Sequence, residues 1–348
     1  MKLKTLLLGS AAALIAVSGA RAADAVVAEP EPMEYVKVCD MYGAGFFYIP
    51  GTETCMNING YVRTDLHYFE DDSTGASDVD FRYRVRLNFD VRNETDWGTL
   101  RSQARLQGDS AGAADAAVGI DRALISLAGF RIGYSDSYWT TAHGYGFPGA
   151  ENGGLYGFDQ SVFIDYTYSA NGFSLTAGVA ETDGPDTAAA VGIVGGAPAV
   201  VPATQNDKID AYAGITYAGS WGSLAATYYY DASAADQDAY KVSATITAIE
   251  NLTLKGWYTS HDNGNHVYTR GGAGADASYG VGAAYQATGE LQLYAGWTDH
   301  DTNTANTDAS YVTIGANWSP VTGLTIQPEV ILYGNDDTQG LFRVVRSW

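Results

Sequence analysis

Nowhere in this chain does an uninterrupted apolar run reach the roughly eighteen residues that carry a helix across a bilayer. The longest candidate, Leu6 to Val17, follows Lys2 and Lys4 and leads to Ala20, Arg21 and Ala22 in a small-x-small order. That is the layout of an export signal, so residues 1–22 are expected to be a signal peptide. Basic residues are scarce: 19 Lys and Arg face 40 Asp and Glu, and loss of Lys2, Lys4 and Arg21 with the leader leaves 16 against 40. A chain this acidic has no electrostatic footprint for nucleic acid. Histidine is rare as well, and of His67, His143, His261, His266 and His300 only His67, near Asp65 on the first expected strand, is considered as part of a catalytic pair. No nucleophile or second acid is beside that pair in sequence, which weighs against an enzyme. The glycines of GAGADASYGVG at 272–282 do not open a helix after a strand, so they make no dinucleotide site, and no cofactor or metal centre is expected. Cysteine is limited to Cys39 and Cys55. In an exported chain these are expected to form one structural disulfide, worth roughly 3 kcal/mol through loop closure.

What the chain has in plenty is aromatic and small side chains set at period two. Phe81 to Arg92 reads FRYRVRLNFDVR, so Phe81, Tyr83, Val85, Leu87, Phe89 and Val91 alternate with Arg82, Arg84, Arg86, Asn88, Asp90 and Arg92. Extended backbone puts the two sets on opposite faces. A soluble strand also alternates, but so many guanidinium groups opposite so many large apolar ones fit a strand with lipid on one face and a watery lumen on the other. The same pattern runs through 58–68 and 98–107, and recurs near 120–128, 130–135, 161–169, 173–181, 208–218, 222–231, 240–248, 252–260, 278–286, 291–299, 310–318, 324–333 and 340–348. About sixteen strands is the size at which a barrel leaves an aqueous channel.

The connections test this reading independently. NETDW, the turn at Gly129, AN before Gly172, AGSW, IEN, ATGE and SPVTG are short, whereas EDDSTGASD, GDSAGAADA, 136–160, 182–207, 262–275 and DHDTNTANTDA are longer and polar. Short turns on one rim and long loops on the other are the habit of outer-membrane barrels. The expected architecture is therefore an all-β, antiparallel transmembrane barrel over 57–348, preceded over 23–56 by an acidic leader and a cysteine-closed segment. The 25 tyrosines and low charged fraction of 17% suit such a barrel, with Tyr166, Tyr168, Trp221, Trp297 and Trp318 as girdle residues. Ala211, Ala213, Ala225 and Ala226 read as small outward residues, and Pro328 sits awkwardly within a strand because it cannot donate to a ladder.

The block CDMYGAGFFYIPGTETCMNINGYVR at 39–63, the segment AGFRIGYSDSYW at 128–139 and the ending FRVVRSW resemble the alphaproteobacterial general porin family. That resemblance implies a homotrimer of sixteen-stranded barrels in the Gram-negative outer membrane, among lipid and lipopolysaccharide, passing ions and small hydrophilic solutes by diffusion. It also implies that the third long loop, about Asp136 to Gln160, folds inward as a constriction. On that footing Asp136, Glu151 and Asp159 are the acidic candidates, facing a basic wall of Arg63, Arg82, Arg84, Arg86, Arg101, Arg105 and Arg122. Pairing of those arginines with Asp65, Asp90 or Asp121 is the blander alternative. A substrate-specific channel, for a sugar for example, and more remotely a barrel enzyme are the competing functions.

Overall fold

The computed structural model describes residues 37–348 except 113–116, 145–159, 182–189, 195–196, 202–208, 233–236, 262–274 and 303–309. The expected signal peptide and leader, and with them Glu151 and Asp159, lie outside the described residues.

Sixteen antiparallel strands close on themselves. They are β1 (Cys55–Asp71), β2 (Ala76–Thr95), β3 (Gly98–Ala111), β4 (Val118–Leu127), β5 (Phe130–Asp136), β6 (Gln160–Ala170), β7 (Phe173–Glu181) and β8 (Asp210–Gly219). There follow β9 (Gly222–Asp231), β10 (Gln237–Ile249), β11 (Leu252–His261), β12 (Ala275–Gln286), β13 (Leu291–Thr302), β14 (Tyr311–Val321), β15 (Leu324–Tyr333) and β16 (Thr338–Ser347). Each strand pairs with its neighbour in sequence, and β16 returns to β1 in the register Leu341↔His67. A closed ring leaves no unpaired edge, the only way a sheet can sit in lipid. A separate hairpin pairs Ala190–Val194 with Ala197–Val201.

The sequence-expected strands are all present, several of them longer than the pattern suggested. β1 and β2 run so far that EDDSTGASD, expected as a long loop, is a tight turn at 72–75. The physical reason is that alternation persists through YFED and ASDVDF, so the hairpin stays paired up to Asp71↔Ala76. Two of the short turns explain their own brevity. Ala128–Gly129 and Asn171–Gly172 have φ of 51° and 89°, and of 52° and 82°. With both central residues left-handed, the turn's twist matches that of the strands and two residues suffice.

Side-chain polarity is inverted relative to a soluble protein. Val62, Phe81, Val85, Ile125, Ile132, Leu175, Val281, Ile314 and Phe342 point outward and are exposed, while Asp65, Arg105, Asp165, Lys241, Glu329 and Arg343 point inward and are buried. Ala225, expected to face outward with Ala226, is buried on the inner side with Thr227 and Tyr229, because neighbours in a strand cannot share a face. Pro328 faces out, opposite Phe342 on β16. On its other side the β14 ladder passes from Gly315↔Glu329 to Trp318↔Ile326 without the two pairs between, so no partner waits for the missing N–H.

The cysteine-closed segment is a rim element. Phe46–Tyr48 pairs with the first residues of β1, and Cys39 is disulfide-bonded to Cys55, both wholly buried. The Arg92 guanidinium lies 4.8 Å from the Phe46 ring and 5.5 Å from that of Tyr42, whose hydroxyl donates to Glu94 at 2.8 Å. Burial, reinforced by this bond to Glu94, pushes the Tyr42 hydroxyl up to about 12.

Candidate pore constriction

One inner quadrant, from β16 through β1–β5, carries the arginines, and strand register sets them in rows. Arg343, Asp65 and Arg82 stand side by side on β16, β1 and β2; the next row is Arg63, Arg84 and Asp109; below lie Tyr61, Arg86 and Gln107. Deeper toward the short-turn rim, Arg105 of β3 faces Arg122 of β4, where a register shift turns both Asp121 and Arg122 toward β3 and β5.

All seven of the sequence-predicted wall arginines hold a carboxylate. Arg343 forks onto Asp65 at 2.8 and 2.9 Å, and Arg63 reaches the same carboxylate at 3.0 Å. Arg82 pairs with Asp80 at 2.7 Å and Arg84 with Asp109. Arg86 lies 3.5 Å from Asp121 and donates to Gln107 at 2.7 Å. Arg92 and Arg101 share Asp90 at 2.7 and 2.6 Å. Asp136 is clamped by Arg105 at 2.7 Å and Arg122 at 2.6 Å, and Arg105 also meets Asp121. Adding Arg131, which forks onto Asp165, the described ion pairs unite ten arginines with seven aspartates. Within these ion pairs the arginines outnumber the aspartates by three.

Asp136 belongs to this wall. It ends β5, is almost fully buried, and accepts a further bond from Gln160 at 3.2 Å, so it ties the base of the third long loop to the arginines instead of facing them across the lumen. His67 comes within 3.8 Å of Asp65, but that carboxylate is already taken by two guanidinium groups.

Beyond Asp136 the chain turns into the lumen. A single helical turn, Tyr138–Thr141, packs on the opposite wall, with Tyr138, Trp139 and Thr140 buried. The Trp139 backbone N–H donates to the Tyr229 hydroxyl at 2.8 Å, and the Tyr138, Tyr212 and Tyr229 rings stack in series at 5.8 and 4.8 Å. Gly214 makes room for Tyr138, since a Cβ there would come 2.6 Å from the ring. His143 is hydrogen-bonded to Ser243 at 2.8 Å and Thr227 at 3.0 Å, and its carbonyl accepts from Lys255. Lys241, fully buried, holds its ammonium 5.1 Å from the Trp139 ring. The sequence reading missed Lys241, Lys255, Arg131 and Arg343; each has the inward parity of its strand, and that parity was the available signal.

A family model described as the porin subfamily matches residues 24–343. Porin Omp2a of Brucella ovis is 37% identical over 358 aligned residues, covering 95% of this chain and 98% of that protein. Porin Omp2b of Brucella canis is 36% identical, with 95% and 92% covered. Among solved structures, mutant porins of Rhodopseudomonas blastica superpose with a TM-score of 0.58 at 20% identity, covering 84% of this chain and the whole of theirs.

Proposed function

Because the chain belongs to the porin subfamily, and so forms a water-filled outer-membrane channel, we propose that passage is decided between the ion-paired arginine quadrant and the inward third loop. The observation that carries this reading is the loop itself: its first residues leave the arginine wall at Asp136 and fasten to the far wall at Tyr229, Ser243 and Lys255, narrowing the lumen between. Guanidinium groups locked by carboxylates stay fixed as solutes pass, so the lumen has a standing transverse field. Such a field orients dipolar solutes and water; an apolar solute must displace that water and is disfavoured. The excess of three arginines within these ion pairs inclines the constriction toward anions, with Arg63, Arg82, Arg84, Arg86, Arg101, Arg105 and Arg122 as the basic side. Glu151 and Asp159 remain the candidates for its acidic side. The channel works as a homotrimer and does no covalent chemistry.

Purified protein added to a planar bilayer is expected to give conductance steps in multiples of three. Absence of any conductance would overturn the reading, and single steps would remove the trimer. Liposome swelling with a size series of neutral sugars then reads the width of the constriction.

A further inference from the structure

On the short-turn side of the helical turn lies a cavity of about 870 Å³. Its wall differs in chemistry from the arginine quadrant. Serine and threonine hydroxyls ring it, among them Ser126, Thr176, Thr216, Ser243 and Thr245, and its charged side chains are Arg131 and Lys255. Among the described residues no Asp or Glu lines it. Asp165, which takes the fork of Arg131 at 2.9 Å, is itself buried in the wall. A solute here meets hydroxyl, guanidinium and ammonium donors, and no carboxylate of the described residues faces it.

We propose that this vestibule is a low-affinity binding site for small oxyanions such as inorganic phosphate, with Lys255 and Arg131 supplying charge and the hydroxyl ring supplying further donors. An oxyanion only accepts hydrogen bonds, and the hydroxyls of Ser126, Thr216 and Thr245 can turn their protons toward it. Charge-assisted bonds from guanidinium and ammonium are the stronger part of such a contact. Among the described residues a cation would find hydroxyl oxygens but no anionic ligand, a poor exchange for its hydration shell. The site lies past the constriction for a solute entering at the long-loop rim, so a bound anion is held on the side where it leaves. The inference rests on the chain being a porin, since the anion must enter through the lumen.

The test uses the full-length protein in planar bilayers, with inorganic phosphate added to the short-turn side of a fixed chloride solution. The wild type is expected to show chloride current falling toward a plateau as phosphate rises, and Lys255→Gln to need about tenfold more phosphate for the same fall. Lys255 also holds the His143 carbonyl, so the loop could shift in that variant. Thr245 is the direct cross-strand partner of Lys255 and lines the same cavity. The exchange Lys255→Gln with Thr245→Lys returns an ammonium without returning that bond, and is expected to restore the phosphate effect. Chloride current indifferent to phosphate, an unshifted Lys255→Gln response, or failure of the exchange to restore it would each overturn the site. A protein that conducts nothing at all would instead count against the porin reading.

Discussion

Replacing Arg82, Arg84 and Arg86 together with glutamine removes three positive charges, as many as the excess of arginine over aspartate within the ion pairs. For an ion travelling roughly 8 Å from a guanidinium, the interaction in water is about 0.5 kcal/mol, favourable for chloride and unfavourable for potassium. Screening at about 0.1 M salt roughly halves that. Each charge then contributes about 0.5 kcal/mol to the difference between the two ions, and three contribute about 1.5 kcal/mol, close to a tenfold change in permeability ratio. The expected outcome is a reversal potential, measured across a tenfold potassium chloride gradient, displaced toward potassium selectivity by that ratio. The barrel should remain folded, because Asp121 keeps Arg105, and the partly exposed Asp80 and Asp109 lose pairs worth at most about 1 kcal/mol each. Asp136→Asn is the counter-test. It leaves Arg105 and Arg122 with less compensation, raises the excess from three to four, and should move the ratio toward chloride by about twofold. An unchanged reversal potential in the triple variant, or a shift of the same sign in both proteins, would refute the charge bookkeeping.

Gly214→Ala sets a methyl 2.6 Å from the Tyr138 ring, so the helical turn must leave the wall; neutral-sugar swelling rates and single-channel conductance should change, and identical values would show the loop to be held elsewhere. Cys39→Ser with Cys55→Ser opens a loop of sequence separation 16 and should cost about 3 kcal/mol by loop entropy, read as a lower temperature for loss of the folded band in semi-denaturing gels. Tyr42 should ionise near 12 in the folded protein against about 10 unfolded. Its raised value means that its contribution to stability is complete below about 10 and lost as pH climbs toward 12, seen in the ultraviolet difference between wild type and Tyr42→Phe.

The ring of sixteen strands was legible because a lipid-facing barrel repeats one period throughout and alternates short with long connections, and no competing fold does both. Inward parity was legible too, and carried the seven arginines to the lumen side. What parity cannot say is who stands beside whom. Arg84 and Asp109 are 25 residues apart in sequence and become neighbours only through register, as do Arg343 and Asp65. Compensation of the arginines by aspartates was therefore open in the sequence, and Asp136 read as part of a loop although it closes a strand. Lys241 and Lys255 were readable by parity and overlooked because their neighbours are not basic.

The pairing of Arg343 with Asp65 joins residues 278 apart. It is among the longest-range contacts a chain of this length can make, and such contacts come late because so much chain entropy must be surrendered first. Until it forms, β1 and β16 present two open edges, and the carboxylate of Asp65 lacks its closest partner. The step that seals the sheet is thus the same step that completes the charge pattern of the lumen, so a barrel that leaks at its seam would also be one with the wrong ion preference.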